Sequence, residues 1–259
     1  MNKVPISVVI ITKNEELNIA RCLESVYSWA DEIIMVDDQS SDKTVAIAQK
    51  YADKIFHRKM DVEGRHRNWS YAQTKNEWVL SLDADETLTE ELRDEIQTTL
   101  EKPAPELNAY TIPRRNFLGD HWLKFGGHYP SAQLRLFRKQ CFRYEEVEVH
   151  PRVFVEGGMK HTGHLSKDII HKSYRDIEHY FAKVNGQTSM EAKKWFQTKR
   201  KMSFRRALWR TVDRFFRSFV AKKGYKDGFW GFTSAMFASV YQMLSYAKYW
   251  ELKRKNGQF

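Results

Sequence analysis

Three short apolar runs, each cut off by polar or acidic side chains, set the tightest limit on what this chain can fold into. Ile6–Thr12, Glu32–Val36 and Glu77–Leu82 read as strands. Ile6–Thr12 is a continuous, β-branched run, which fits a strand buried on both faces of a parallel sheet. Between the runs, Leu17, Ala20, Leu23, Val26 and Tyr27 recur at helical spacing. Ser41-Asp42-Lys43-Thr44 opens a second helix, with Ser41 or Asp42 as its cap. Lys54–His57 is a short strand, Arg65–Thr74 a helix, and Thr89, Leu92, Ile96 and Leu100 form another helix before Pro103 and Pro105. This alternation predicts an α/β fold, a Rossmann-like, mostly parallel sheet flanked by helices. Ligands of such sheets sit beyond the carboxyl ends of the strands. Those ends carry Thr12-Lys13-Asn14-Glu15, Asp37-Asp38-Gln39-Ser40 and Asp83-Ala84-Asp85-Glu86.

Past Tyr110 the strands shorten to Ala109–Pro113, Gln133–Arg138, Glu146–Val149 and Arg152–Val155, between loops rich in Gly, His and Trp. From Ile177 the pattern is helical and basic. The expected organisation is one domain over 1–176, with halves 1–110 and 111–176, and a helical region over 177–259. Charge divides the same way: residues 1–110 hold 13 basic and 21 acidic side chains, residues 111–259 hold 30 and 12, within a net of +10. A hydrophobic share of 42% excludes a disordered chain. Two distant cysteines, Cys22 and Cys141, fit a reducing compartment, and the Val4–Ile11 run is too short for a signal-peptide core. The chain is therefore expected on the cytoplasmic side of any membrane.

The strand-end residues have specific chemical uses. Asp83 and Asp85, one residue apart, can converge on a divalent cation, and oxygen-only ligation suits Mg²⁺ or Mn²⁺ with diphosphate oxygens completing the shell. A solvated acidic turn is the simpler alternative, but the preceding buried strand argues for function. Asp37 or Asp38 can accept from a pyrimidine N–H or a ribose hydroxyl, whereas Ser41 and Asp42 suffice for capping. Arg65-His66-Arg67-Asn68, just after Gly64, sets two guanidiniums at a helix start, a natural diphosphate site.

Taken in order, Ser7–Glu16, Val36–Thr44 and Leu82–Glu86 resemble the motifs of family 2 glycosyltransferases over about residues 4–115. Gly64–Asn68, Arg114–Gly119, Gly126–Pro130, Leu134–Arg138 and the Gly224, Asp227, Gly228, Gly231 run resemble more loosely the bacterial lipopolysaccharide core branch. The resemblance implies a GT-A fold and a nucleotide-diphosphate sugar donor. It places Asp38 on the base or ribose, Asp83 and Asp85 on the metal, and Arg67 and Asn68 in the nucleotide pocket, with Thr12, Asn14 and Glu15 beside them. An inverting transfer needs a base for the acceptor hydroxyl. Glu146, Glu148 and His150 alternate on one predicted strand face, and Glu148 is favoured although Val149-His150-Pro151 departs from the Val-His-Glu of many relatives. An edge strand facing water is the alternative for each. His161, His164, His171 and His179 match no common zinc spacing.

Residues 193–226 hold 13 Lys and Arg against one acid, Asp213. Phe204, Leu208, Val212, Phe215 and Phe219 form one helical stripe, with Arg206, Arg210, Arg214 and Arg217 opposite. Such a helix can lie in an anionic interface or dock its stripe on the protein; no nucleic-acid-binding motif accompanies it. Phe229–Ala247 carries no charge over 19 residues, but Gly231, Ser234, Ser239, Gln242 and Ser245 share one face, which favours packing or interfacial placement over spanning. The combined expectation is a metal-dependent transferase, peripheral at the inner face of the bacterial cytoplasmic membrane, acting on a glycolipid hydroxyl of lipopolysaccharide core. A polyprenyl-phosphate acceptor, or a non-catalytic binding protein on the same domain, is the alternative.

Overall fold

The structure is a computed structural model that describes residues 3–147 and 151–257. In chain order the elements are β1 (Val4–Thr12), α1 (Ile19–Tyr27), β2 (Ala30–Asp37), α2 (Thr44–Ala48), β3 (Lys54–His57), α3 (Glu63–Ala72), β4 (Trp78–Asp83), β5 (Glu86–Leu88) and α4 (Glu90–Glu101). There follow β6 (Ala109–Ile112), β7 (Arg114–Leu118), β8 (His121–Trp122), β9 (Gln133–Arg138), β10 (Phe142–Tyr144), β11 (Val153–Val155), β12 (Thr162–His164) and β13 (Ile169–Tyr174). Three helices complete the chain: α5 (Ile177–Gln197), α6 (Phe204–Phe216) and α7 (Gly228–Lys255). They fold as two compact units, Met1–Arg114 with Ala132–His171, and Arg115–Ser131 with Lys172–Phe259. Residues 115–131, grouped by sequence with the first region, thus pack in the second unit.

The first unit is built on a seven-stranded sheet of order β12-β6-β9-β4-β1-β2-β3. Only β9 runs antiparallel to its neighbours, β4 and β6. Successive side chains of a strand point to opposite faces, so β1 contributes Val8 and Ile10 to one core and Val9 to the other. Ile19 and Leu23 of α1 and Leu92 and Ile96 of α4 cover the first face; Tyr71 of α3 and Phe142 of β10 pack on the second, against Phe137 of the sheet itself. This is the two-faced burial that a continuous, mostly apolar strand requires. Thr89 caps α4 by accepting from the Leu92 amide at 3.2 Å, with Glu90 and Glu91 in the first turn. Neither Ser41 nor Asp42 is the N-cap of α2, which starts after Lys43. Asp42 acts from one residue further out, its carboxylate accepting the Thr44 amide at 3.0 Å.

The expected strand over Glu146–Val149 does not form at its described residues: the local ladder is instead the β10–β11 hairpin, with Arg143 opposite Phe154. Aromatic packing explains the choice. Phe142 stacks on Phe137 with ring centroids 3.8 Å apart, and an acidic segment offers the second core nothing comparable. Glu148 and His150 lie outside the described residues.

In the second unit β7 and β8 pair antiparallel through Phe117 and Trp122, and α5 and α6 both pack on α7. Trp195, Ala192 and Tyr249 form its buried centre. Gly231 in α7 stands where a Cβ would come within 1.8 Å of the Gly224 carbonyl oxygen, so this approach is open to glycine alone.

Candidate active site

Strand register brings the polar ends together. Thr12 at the end of β1 lies opposite Asp37 of β2, and Ile11 opposite Asp83 of β4. The three acidic segments therefore leave the sheet side by side, at the edge where ligands of parallel sheets bind.

Two of these segments clasp each other. Asn14, at φ 54°, donates its amide to Ser40 Oγ at 2.9 Å and accepts the Ser41 amide at 2.8 Å. The Glu15 amide donates to Thr44 Oγ1 at 2.7 Å, and the Glu15 carboxylate accepts from Asn18 at 2.7 Å. Asn14 and Glu15 thus shape the loops. Thr12 keeps capacity in hand: its hydroxyl is buried with no partner among the described residues. Asp38 accepts the Met60 amide at 2.8 Å and a Lys13 ammonium at 3.0 Å. Burial alone would raise its pKa, but that amide and Lys13 outweigh it and hold the carboxyl below the usual range.

The Asp83–Glu86 segment is built into a charge network. Arg135 donates to both Asp83 and Glu86, reaching Glu86 Oε1 at 2.6 Å. Arg67 Nη2 meets the other Asp83 oxygen at 3.4 Å, and Arg114 reaches Glu86 at 3.1 Å. Glu86 in turn accepts the Asp83 amide at 3.0 Å. Burial opposes ionisation of Asp83, yet Arg135 and Arg67 hold its pKa far below normal. The same burial, joined by Glu86, Asp85 and Asp83, pushes the Cys22 thiol up and keeps it neutral.

Asp85 points elsewhere: its Oδ1 lies 3.5 Å from Nε2 of His171, on β13, which pairs antiparallel with β5 through His171 and Glu86. A carboxylate oxygen and an imidazole nitrogen, both largely buried, are a donor set for one divalent ion. No group of three or more acidic, His or Cys side chains among the described residues could hold an ion unaided. The residues fit an ion whose remaining ligands come from a bound diphosphate and water. Asp83 is held by two arginines, Arg135 and Arg67.

Helix α3 supplies the basic wall. Arg67 is fixed by Glu63 at 3.0 Å and sits over the Tyr144 ring at 5.5 Å, while its buried Nη1 has no acceptor among the described residues. An orphaned buried guanidinium N–H is a ready donor to an anionic oxygen. Asn68 also ties two elements together. Its carboxamide pairs with both the amide and the carbonyl of Tyr144, at 2.8 and 3.0 Å, tying α3 to β10. Gly64 permits this closeness, since a Cβ there would meet the Glu145 carbonyl oxygen at 2.0 Å. Glu146 is half-exposed and bound by Arg65 at 3.2 Å and Asn68 at 3.3 Å.

Sequence reasoning singled out neither Arg135, Arg114 and Glu86 nor His171 as site residues. The available signal was Arg135 itself, an arginine between Leu134 and Leu136 in an apolar strand, which must find a counter-charge if buried. Of the four histidines weighed for zinc, the other three make contacts elsewhere: His161 bonds the Glu106 carbonyl, His164 the Thr111 hydroxyl, and His179 lies at the start of α5.

With this geometry in place, comparison with known proteins is decisive about the family. The model of "Glycosyl transferase family 2" matches residues 7–162. An uncharacterized glycosyltransferase of Rickettsia bellii is 32% identical, over 95% of this chain and 86% of its own. The lipopolysaccharide core biosynthesis glycosyltransferase LpsC of Rhizobium meliloti is 27% identical, over 96% and 93%. Among solved structures, the mannosyltransferase PcManGT from Pyrobaculum calidifontis, in complex with GDP-Man and Mn²⁺, superposes with a TM-score of 0.54 at 11% identity, covering 96% of this chain and 88% of that one. The strand-end carboxylates and the arginines that hold them thus belong to a GT-A fold, and the chain belongs to glycosyl transferase family 2.

Proposed function

We propose that the strand-end site binds a nucleotide-diphosphate sugar with a divalent cation and transfers the sugar, with inversion, to a hydroxyl of a membrane glycolipid, in the lipopolysaccharide core class. One observation carries the donor reading: Asp38, the Asp83–Glu86 segment and the orphaned Nη1 of Arg67 sit around the carboxyl ends of adjacent parallel strands. Asp38 accepts from the base or a ribose hydroxyl, and the buried Thr12 hydroxyl faces the same duty. Arg67 donates to the diphosphate. Asp85 and His171 would hold the cation, with Asp83 beside them keeping Arg67 and Arg135 in place. Bound there, Mg²⁺ or Mn²⁺ supplies charge neutralisation on the leaving diphosphate. A carboxylate or an imidazole must take the acceptor proton as its oxygen attacks the anomeric carbon. Glu146 is positioned by Arg65 and Asn68; Glu148 and His150 remain candidates on sequence grounds.

The acceptor reading rests on the likeness to LpsC along nearly the whole chain and on the surface of the second unit. Its long helix α7 is arranged with the polar stripe inward: Gly231, Ser234, Ser239, Gln242 and Ser245 are buried, whereas Phe229, Phe232, Met236 and Val240 are exposed. On α6, Phe204, Leu208 and Val212, the first part of the expected stripe, are exposed as well, together with Trp209. No described helix is long and apolar enough to cross a membrane. Exposed aromatic and aliphatic side chains beside many arginines support residence in an anionic interface at the inner face of the cytoplasmic membrane.

The test is transfer from a panel of nucleotide sugars to deacylated and intact glycolipid acceptors, by the chain and by Asp85→Ala. Transfer with the unaltered chain and its loss in the variant are expected. Undiminished turnover in Asp85→Ala overturns the site. A polyprenyl-phosphate acceptor, which needs no general base, would instead leave Glu146→Gln, Glu148→Gln and His150→Gln all active.

A further inference from the structure

The second unit contains a cleft of about 770 Å³ that the transfer reaction does not use. It lies where α5 ends, α6 begins and α7 passes beneath. Five cationic side chains line it, Lys199, Arg200, Lys201, Arg206 and Lys253, and no acidic side chain among the described residues does. Like charges gathered in one concavity repel each other and raise the local potential, which an anion relieves. The N-terminus of α6, capped by Ser203 at the rim, adds its partial positive charge to the same space.

The architecture holds these cations apart while leaving the space between them open. Arg200 stacks its guanidinium over the Trp195 ring at 5.4 Å, and its carbonyl accepts from the Tyr249 hydroxyl at 2.8 Å. Arg206 donates to the Lys201 carbonyl at 3.3 Å, which bends the α5–α6 connection around the cavity. Phe196, Met202 and Tyr249 give one wall an apolar character. A cluster of lysines and arginines with an aromatic wall matches a phosphate group carried on a larger, partly apolar body, and it matches inorganic diphosphate through its charge alone.

We propose that this cleft is a second, non-catalytic binding site for a phosphate-bearing ligand. The chemistry is shared by a phosphorylated lipid headgroup and by free phosphate, and experiment separates the two. Binding by the full chain is measured to inorganic pyrophosphate in solution, and to vesicles containing phosphatidylglycerol against vesicles of phosphatidylcholine alone. Each measurement is repeated with the double variant Lys201→Glu/Arg206→Glu and with Lys193→Glu, an exposed reversal outside the cleft. Weakening by about tenfold or more in the double variant, with little change in Lys193→Glu, is the expected result in at least one arm. Loss confined to the vesicle arm identifies a lipid headgroup; loss in the pyrophosphate arm identifies free phosphate. Equal binding by the double variant and the unaltered chain in both arms overturns the proposal, as does an equal loss in Lys193→Glu. Should the double variant fold poorly, protection of Lys199 and Lys201 from amine acylation by the same two probes tests the unaltered chain. Absence of protection by either probe overturns the site. None of these readouts depends on sugar transfer, so their failure leaves the reading of the strand-end site untouched.

Discussion

His171 holds its Nε2 3.5 Å from Oδ1 of Asp85, joining the antiparallel β13–β5 pair to the strand-end acidic segment. If these two atoms share a cation with the donor diphosphate, each contributes one ligand and the ion is labile without the donor. Dialysis against a chelator should abolish transfer, and Mn²⁺ or Mg²⁺ should restore it. His171→Ala should raise the metal concentration for half-maximal activity by about 10–100-fold while leaving the fold intact, as judged by circular dichroism. A metal requirement unaltered in His171→Ala would remove the imidazole from the site.

Glu86 is fully buried between Arg135 and Arg114. Removing one partner of a buried charge network leaves the others uncompensated in a poorly solvated place. Glu86→Gln should therefore destabilise the chain by about 3–5 kcal/mol in urea unfolding. Glu90, which meets Arg93 at 3.4 Å but is 88% exposed, is the control, since an exposed pair contributes about 1 kcal/mol or less. Similar unfolding midpoints for Glu86→Gln and Glu90→Gln would show that the network is not structural.

His66 gives the first unit a defined acid sensitivity. Its ring is buried in α3 with Nδ1 2.8 Å from Arg58. Burial lowers its pKa first and Arg58 second, with a smaller contribution from Arg67, while Asp38 and Asp61 oppose them. The folded value is thus below the unfolded value of about 6.5. Between the two, the unfolded chain binds a proton that the native chain refuses, so stability falls as pH drops below about 6.5 and levels off beneath the folded pKa. Urea midpoints measured from pH 7.5 downward should show that fall, and His66→Gln should flatten it. A His66→Gln profile that falls as steeply as the original assigns the effect to other groups.

The strands β1, β2 and β4 were legible because burial on both faces makes their runs mostly apolar, with Ser7, Glu32 and Ser81 as the buried exceptions. Their register then followed from the sheet, which is why the polar ends at Thr12, Asp37 and Asp83 lie side by side. The roles of individual residues were less legible. Asn14 and Asn68 look in sequence like ligand contacts, and their side chains also tie the local backbone, to Ser41 and to Tyr144. Arg135 finds Glu86 across 49 residues of chain, a pairing that no local period encodes. Glu146 and Val147 alternate as a strand would, yet the hairpin forms where Phe142 and Tyr144 can reach Tyr71. On α7 the sequence displayed a small polar face, but which face turned inward depended on close packing such as that of Gly231 on Gly224.

An amphipathic helix normally buries its apolar side; α7 instead packs Ser239, Gln242 and Ser245 inside, with Gln242 Oε1 accepting from Arg210 at 2.9 Å and 3.1 Å. Its outward Phe229, Phe232 and Met236, with Phe204 and Leu208 of α6, then meet solvent unless a membrane covers them. Each large apolar side chain moved out of water contributes about 1.5–3 kcal/mol when fully buried, and these are already partly covered. Phe229→Glu with Phe232→Glu should weaken attachment to phosphatidylglycerol vesicles by at least about tenfold, since each change both removes apolar area and adds a charge repelled by the anionic surface. Phe229→Ala with Phe232→Ala should weaken it less, at any salt concentration. Basic side chains act through screened charge, so their share should fade as salt rises while the alanine effect persists. Sedimentation with vesicles at low and high salt separates the two contributions. Unchanged attachment of the glutamate pair would mean that another surface of the chain meets the membrane, or that none does.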